Sequence, residues 1–284
     1  MSPVSTEASA TASTVAIVQR PGFKRKRRPI YVDLALFAGC VAIGVWLIVI
    51  GATSGSYRWE WYRIPRYLFE IEDGVFYAGP LLEGLWVTVK ISFWSFILMV
   101  LLGLTTAVLS LSKSILGRAI ARTYVELIRN TPLLIQLFIV YFVFAPILGI
   151  DRITAGILCL AAFEGAYAAE IFRAGLAAVP QGQWEAGRCI GLSPYKLYRY
   201  VVGPQAAKII LPPLAGQSVS LVKDSAIVSV IAVYELTTQG RDIIAQTLLT
   251  FEVWFVVAAL YLTLTLSLST AVAYVERHFR RWHA

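Results

Sequence analysis

Residues 82–111 read LEGLWVTVKISFWSFILMVLLGLTTAVLSL, a run of 30 residues in which only Glu83 and Lys90 are charged. An α-helix rises about 1.5 Å per residue, so about 20 apolar residues cross a hydrocarbon core about 30 Å thick. The whole chain is as apolar in character as this run: 58% of its 284 residues are hydrophobic and 15% are charged, whereas soluble domains have about 45–50% and 25%. The sequence excludes an ordinary soluble domain and predicts an all-α polytopic membrane protein.

Six apolar spans are predicted along the chain, separated by charged stretches. Residues 1–29 form a tail rich in Ser, Thr and Ala, whose composition predicts disorder. The first span, residues 30–51, is interpreted as an additional uncleaved helix, and a signal peptide cleaved near Ala52 is the alternative. The five further spans are expected at about Leu82–Leu111, Thr131–Ile150, Ile153–Phe172, Ile209–Ile231 and Glu252–Tyr274.

The distribution of Lys and Arg predicts the orientation of the chain. Eighteen basic residues lie on one side of the predicted spans and five on the other, and positive flanks are retained in the cytoplasm. Both termini, including the tail 277–284, and the loop 179–204 are therefore expected in the cytoplasm, and the segment 52–81 outside. The formal net charge of +8 is interpreted as this orientation signal and not as a nucleic-acid surface.

The outer segment 52–81 is rich in aromatic residues that favour the lipid headgroup level. It is interpreted as an interfacial ledge with no ligand of its own. Its aromatic residues include Trp59, Trp61, Tyr62, Tyr67 and Tyr77.

The cysteines and histidines give no sign of a metal site or of catalysis. Cys40 and Cys159 lie in apolar runs and Cys189 in a basic loop, with no CxxC pair and no neighbouring His. His278 and His283 both lie in the C-terminal tail. The three thiols are interpreted as inert, no bound metal is expected, and no nucleophile and base are available for a membrane enzyme.

The loop 179–204 contains the signals of a first short helix. Glu185 and Ala186 lie within it, and Gly191 follows at the position where helices commonly end in the left-handed conformation. The small residues Ala186 and Gly187 would allow a neighbouring backbone to come close.

A second helix is expected directly after this turn. Ser193 is a good N-cap and Pro194 suits the first helical position, so the helix should run from there to about Val202. Gly203 and Pro204 are expected to end it. The product is a helical hairpin that fits a groove, although a helical loop without a partner would have the same spacing.

Three strings together resemble a known family. The first is the hairpin, Glu185-Ala186-Gly187 with Gly191 and Pro204, which resembles the EAA loop of ABC importer membrane subunits. The others are ELIRNTPLLIQ, residues 126–136, and LVKDSAIVSV, residues 221–230. In this order they are similar to the polar amino acid permeases of the histidine and glutamine transport type.

The resemblance covers residue 82 to the C-terminus, so the segments before it are interpreted as an N-terminal addition. Gly187, Val201 and Gly203 depart from the family's loop pattern, which puts the detailed fit to a partner in doubt more than the identity of the loop. The transmembrane domain is expected at 82–276 with an ABC type I importer core, in a bacterial cytoplasmic (inner) membrane.

The resemblance also implies partners. The hairpin would dock on a dimer of separate ABC ATPase subunits, which bind ATP and Mg²⁺ themselves, so this chain needs no cofactor. The chain has no GxxxxGK[ST] loop for phosphates, which agrees. A second permease copy or a paralogue would complete the path, and an extracytoplasmic solute-binding protein would deliver an amino acid.

Several polar residues fall within the apolar spans, where an ionisable group near the bilayer centre costs at least about 2.5–3.5 kcal/mol unless it faces water or a partner. Glu164 shares a helix face with Ala161, Gly165 and Ala168, so this face should meet another helix closely. Glu164 is therefore a candidate for the substrate path, with a buried packing residue as the equal alternative. Glu170 is interpreted as the partner of a surface ion pair with Arg173.

Four further candidates for the substrate path come from the same reasoning. Lys223 and Asp224 are adjacent, so they point about 100° apart on a helix and need different partners. In the family the matching pair lies in the translocation region, which implies a role in the path or its gate, against a structural ion pair. Gln136 and Gln217 would offer amide hydrogen bonds to a zwitterion, or equally to neighbouring helices.

Prolines are expected to disturb two of the spans. Pro212-Pro213 should break or kink the helix early in the fifth span, and Pro146 should do so late in the third. Taken together, the sequence predicts the permease subunit of an ATP-driven importer for polar amino acids. The alternative is a carrier or channel that works without ATP, but such carriers usually have two internal halves, and neither the EAA nor the Lys-Asp string has a second copy.

Overall fold

The structure is a computed structural model that describes residues 30–54, 57–72 and 74–281. It divides into two compact units at Arg58, and each unit is described by itself. Its helices are α1 (Ile30–Ser54), α2 (Pro65–Leu68), α3 (Pro80–Leu111), α4 (Ile115–Arg129), α5 (Leu133–Ile139), α6 (Ala145–Leu148), α7 (Arg152–Ala177), α8 (Gln181–Cys189), α9 (Pro194–Leu197), α10 (Gly203–Asp224), α11 (Leu236–Thr247) and α12 (Thr250–Arg281). Two strands, β1 (Phe69–Glu72) and β2 (Val75–Ala78), form an antiparallel pair.

The first unit contains helix α1 at the position of the first predicted span. The described apolar stretch of this helix, Leu34–Leu47, is shorter than a full crossing. The helix is therefore confirmed, whereas its role as a sixth span stays a prediction. Residues 1–29, predicted to be disordered, lie outside the described residues.

The second unit has four helices that are long and apolar enough to cross a membrane, among the residues that the structure describes. These helical segments are Pro80–Leu111, Arg152–Ala177, Pro194–Ile231 and Thr250–Tyr274. A fifth crossing is possible only if α4 and the segment Leu133–Leu148, which meet at a bend of 108°, count as one span. The polytopic helical class is confirmed, and the count of six spans is not.

The third predicted span differs from a simple helix. Pro132 caps α5, and a π-helical turn at Val140–Phe144 joins α5 to α6, which ends at Gly149 in the left-handed conformation with φ of +65°. The N–H of Ala145, directly before Pro146, bonds to the carbonyl of Val140 five residues earlier. The wider turn accommodates the proline, which has no N–H of its own, so the helix is not broken there.

A second π-helical turn shows that the hairpin's second helix does not end where it was predicted to end. A π-helical turn at Tyr198–Val202 connects α9 to α10, and the N–H of Gly203 bonds to the carbonyl of Tyr198. The prediction that Gly203 and Pro204 end the helix is wrong, because the π turn carries the chain past the proline. A break at Pro212 and Pro213 is not found either, since α10 runs through both, whereas the kink that was the other expectation stays a prediction.

The core of the second unit is the contact between α3 and α7. A Cβ on Gly103 would lie 2.7 Å from the Cβ of Ala168 and 3.1 Å from the backbone N of Ala169, so only glycine permits this approach. Helix α7 starts where Asp151 accepts hydrogen bonds from the N–H groups of Ile153 and Thr154. The pKa of Asp151 lies below its ordinary value, chiefly because the Thr154 hydroxyl also donates to the carboxylate.

Two further elements were not predicted. The outer segment contains a short hairpin of β1 and β2, and its interpretation as an interfacial ledge stays a prediction. Helix α11 packs against the start of α3, where a Cβ on Gly84 would lie 2.9 Å from the Cα of Leu236. We call this the α11 end of the molecule, and the end that carries α8 and α9 the hairpin end.

Candidate functional site

Glu164 lies in the interior seam that its neighbours predicted. Its side chain is completely buried on α7, and Ala161, Gly165 and Ala168 on the same face are buried as well. A Cβ on Gly165 would lie 3.0 Å from the hydroxyl of Tyr124 on α4. The close helix contact is therefore confirmed, and it puts a carboxyl group in an apolar seam.

The structure brings three of the candidate residues together. Oε2 of Glu164 accepts a hydrogen bond from Nε2 of Gln217 on α10. The carboxyl group of Asp224, near the end of the same helix, is close enough to interact with that of Glu164. Oε1 of Glu164 is buried and has no hydrogen-bond partner among the described residues.

This arrangement favours a positive charge. Two carboxyl groups that approach one another in apolar surroundings are not both ionised unless a cation joins them. The site is therefore completed either by a proton held between Glu164 and Asp224 or by a cationic group of a ligand. The first is the packing alternative and the second is the substrate-path interpretation.

Lys223 does not join this group. Its side chain is exposed, whereas that of Asp224 is half-buried, in agreement with the divergence expected of adjacent residues on a helix. The described residues give neither of them a salt bridge, so the alternative of a structural ion pair finds no support there.

Gln136 has a different environment from Gln217. Its Nε2 donates to the carbonyl oxygens of Ile128 and Thr131 at 2.8 and 3.0 Å, and to the Thr131 hydroxyl at 2.7 Å. These bonds hold the bend between α4 and α5. The amide nitrogen of Gln136 is thus committed to packing and is not offered to a solute.

Glu170 and Arg173 form the surface ion pair that was predicted. Nη2 of Arg173 lies 2.7 Å from Oε2 of Glu170, and both side chains are partly exposed. Arg129 lies nearby, 5.0 Å above the ring of Tyr167. The Glu170 carboxylate is therefore already paired with Arg173 at the protein surface.

The hairpin end contains the two helices α8 and α9 expected from the sequence. Gly191 follows α8 with φ of +77°, a conformation that favours glycine, and the Ser193 side chain caps α9. A Cβ on Gly187 would lie 2.4 Å from Cδ1 of Leu197, so the small residue lets the two helices meet. Glu185 is exposed and accepts a hydrogen bond from Gln181 at 2.8 Å.

Large apolar side chains on the hairpin are exposed to solvent. Ile190, Tyr195 and Tyr200 are 75%, 75% and 66% exposed. A patch of this kind beside a helix turn is typical of a surface that another protein covers.

Sequence reasoning missed several buried polar groups, of which Glu235 is one. Glu235 is completely buried before α11, where its carboxylate accepts hydrogen bonds from the N–H groups of Thr237 and Thr238, both at 2.9 Å. The string Glu-Leu-Thr-Thr has an acidic residue directly before a helix, which is a cap signal that could have identified it. The approach of Asp224 to Glu164 has no such signal, because it depends on how α7 and α10 pack.

Comparison with known proteins decides the family. Residues 99–281 match the family model described as "Binding-protein-dependent transport system inner membrane component". This chain belongs to that family. It is therefore a multi-pass inner-membrane component of a transport system, which agrees with its apolar helices.

Relatives and solved structures with amino acid transport names are similar over most of the chain. The L-cystine transport system permease protein of Bacillus subtilis (strain 168) is 36% identical over 208 residues, 72% of this chain and 89% of the relative. The glutamine transport system permease protein of Escherichia coli (strain K12) is 36% identical over 207 residues, 72% of this chain and 94% of the relative.

Two solved structures have the same fold. A crystal structure of an amino acid ABC transporter with histidines is 40% identical, with a TM-score of 0.65 over 70% of this chain and 94% of that chain. An inward-facing structure of the MetNI methionine ABC transporter is 23% identical, with a TM-score of 0.60 over 70% of this chain and 95% of that chain. The second likeness concerns the fold alone. The expected ABC type I importer permease core is thereby confirmed.

Proposed function

We propose that this chain is the permease subunit of an ATP-driven importer for polar amino acids. It works with a dimer of ATPase subunits that bind ATP and Mg²⁺, with a second permease copy or a paralogue, and with an extracytoplasmic binding protein. Relatives whose names refer to glutamine and cystine support the solute class. The chain itself is not expected to hydrolyse ATP, since its sequence has no phosphate-binding loop.

The assignment of amino acids as the solute class rests on the environment of the Glu164 carboxyl group. It is buried, its Oε1 has no partner among the described residues, and Asp224 lies close to it. An amino acid brings an ammonium group, and a basic one brings a second cation, so either would complete this site. Gln217, already bonded to Glu164, would orient the carboxyl group toward the ligand.

ATP hydrolysis would reach this site through the hairpin. The exposed face of α8 and α9 is the surface that an ATPase would cover, and Pro204 lies within the continuous helix from α9 into α10. Because α10 also carries Gln217 and Asp224, a shift of the hairpin would move two residues of the solute site. The Lys223 side chain, exposed on the same helix, would face the path or the second permease.

Replacing Gly191 tests the coupling. Gly191→Trp places a bulky side chain at the turn, where the backbone φ of +77° is one that only glycine adopts freely. ATP-driven uptake should therefore fall at least about tenfold while insertion is normal. Gly149→Trp is the matched control, because Gly149 has a similar φ of +65° and equally open space, but lies before α7, away from the hairpin. Normal uptake by Gly191→Trp with normal ATPase binding would refute coupling through the hairpin.

The orientation can be tested separately in a variant without native cysteines. Glu185→Cys should react with a membrane-impermeant reagent only in opened cells, whereas Tyr62→Cys should react in intact cells. The opposite pattern would mean that the hairpin lies outside, which would exclude a cytoplasmic ATPase partner. Uptake that continues without ATP would favour the carrier alternative.

A further inference from the structure

Helix α4 has two exposed faces of opposite character. Arg118, Arg122 and Arg129 are exposed and share one face of the helix, since they are four and seven residues apart. Ile120 and Leu127, which are 55% and 62% exposed, lie on the opposite face. A helix with a basic face and an apolar face is typical of one that lies in the plane of a membrane interface.

The direction of α4 agrees with this interpretation. Its axis is bent by 108° from the following segment Leu133–Leu148, so the two cannot both stand along the membrane normal. The flank that carries Gly117 and Ala121 is buried against the rest of the unit. The helix is thereby fixed with its basic and apolar faces both open.

The basic face forms one wall of a cavity of about 850 Å³ between α4, α3 and α7. The cavity is at the hairpin end, because Ser110 and Arg173 lie near the ends of α3 and α7 that lead toward that end. Four arginines and two glutamates line it, which leaves an excess of two positive charges. These charged residues are Arg118, Arg122, Arg129, Arg173, Glu126 and Glu170.

The arginines that line the cavity differ in how many hydrogen bonds and ion pairs they already form. Arg173 is paired with Glu170, and Arg118 donates to the carbonyl oxygen of Ser112 at 2.8 Å. Arg122 makes no hydrogen bond or ion pair in the part of the chain that the structure describes. Arg129 stacks on the ring of Tyr167 and lies near the Glu170 carboxylate, but it forms no salt bridge with it there. Two guanidinium groups are thus available for an anion.

We propose that this cavity binds the phosphate of an anionic membrane lipid, with Arg122 and Arg129 as its ligands. Guanidinium groups bind phosphate through paired N–H donors, and the cytoplasmic leaflet carries the anionic lipids. The apolar face of α4 would contact acyl chains while its basic face contacts the headgroup. This site is separate from the one at Glu164 and does not depend on which solute is transported.

The test uses the full-length chain in neutral detergent. Phosphatidylglycerol, phosphatidylcholine and inorganic phosphate are added separately, and lipid bound per chain is measured by native mass spectrometry. We expect one phosphatidylglycerol per chain to bind more tightly than phosphatidylcholine. The double variant Arg122→Gln/Arg129→Gln should weaken this binding about 25-fold, at about fivefold for each arginine, and the single variant Arg122→Gln about fivefold if the double variant does not fold.

Lys113→Gln is the matched control, because it removes one positive charge at the start of the same segment from an exposed residue that does not line the cavity. It should change binding less than about twofold. An equal loss in Lys113→Gln would mean diffuse attraction and would overturn the proposal. So would equal binding of the two lipids, or displacement of phosphatidylglycerol by millimolar inorganic phosphate, which would indicate a site for free anions.

Discussion

Two of the three completely buried glutamates in the described part of the chain, Glu164 and Glu235, have opposite environments. Glu235, at the α11 end, accepts hydrogen bonds from the N–H groups of Thr237 and Thr238, so the carboxylate caps a helix. Glu164, in the seam between α7 and α10, accepts a hydrogen bond from Gln217 and has one oxygen without a partner among the described residues. The two carboxyl groups are therefore equally buried but differ in how many hydrogen-bond donors they have.

This difference indicates different roles. A buried polar group without a partner costs about 1–3 kcal/mol, and a fold has no reason to retain that cost unless a ligand or a proton completes the group. Glu235 needs nothing further, because the hydroxyl of Tyr261 also donates to it at 2.8 Å. We interpret Glu235 as structural and Glu164 as functional, and the following variants separate the two roles.

The largest effect on stability is expected for Glu235→Ala. It removes the cap of α11 and leaves the partly buried Tyr261 hydroxyl without its carboxylate acceptor, although the Thr237 hydroxyl remains 3.3 Å away, so the free energy of unfolding should fall by about 3 kcal/mol. Thermal unfolding in detergent measures this loss. The preference between basic and neutral solutes, normalised to inserted protein, should not change, and a changed preference would contradict a purely structural role.

A smaller loss is expected for Tyr261→Phe. The variant keeps the ring and removes only the hydroxyl donor, while the two backbone donors of Glu235 are retained, so the loss should be about 1.5 kcal/mol. The same unfolding measurement checks it. A loss as large as that of Glu235→Ala would mean that the hydroxyl, and not the helix cap, supplies most of the stabilisation.

An exposed cap extends the comparison. Asp151→Ala removes the cap of α7, but water can replace it, so the loss should be about 1 kcal/mol at neutral pH. Because the pKa of Asp151 is lowered in the folded state, its contribution is present above the ordinary Asp pKa and is lost as the pH falls through the lowered value. Unfolding of Asp151→Ala and of the unchanged protein at neutral and acidic pH tests this. A stability difference between them that does not shrink in acid would contradict the prediction.

The comparison also shows what could be predicted from the sequence. The apolar runs predicted the helical membrane class, and local signals predicted the turn at Gly191, because both depend on residues close in the chain. The effect of Pro204 was predicted wrongly, since the sequence does not reveal that a π turn will carry the helix past it. The composition of the Glu164 face predicted a close helix contact at this residue.

The partners of that residue could not be predicted. Gln217 and Asp224 lie more than 50 positions away in the sequence, and their approach to Glu164 results from the packing of α10 on α7. The role of Gln136 was equally open, because an amide in a span serves packing and solute binding alike. Only the geometry of the bend between α4 and α5 distinguishes them.

The smallest change in stability is expected for Glu164→Gln, which keeps the shape and the hydrogen bond to Gln217 while removing the charge. Its effect should appear in transport. A carboxylate and a cation about 4 Å apart gain about 4 kcal/mol at an effective dielectric constant of about 20, before desolvation is subtracted. A net loss of about 1–2 kcal/mol would weaken binding of a cationic solute about 5- to 30-fold.

Transport in proteoliposomes by Glu164→Gln is therefore the most direct test, with the ATPase and a saturating binding protein present and with rates normalised to inserted protein. Glu170→Gln is the matched control, because it removes a surface charge from the same helix. We expect Glu164→Gln to reduce uptake of an arginine-like solute about 5- to 30-fold more than that of a glutamine-like solute, and Glu170→Gln to affect both equally. Equal losses for the two solutes in Glu164→Gln would contradict the assignment and leave Glu164 as a packing residue.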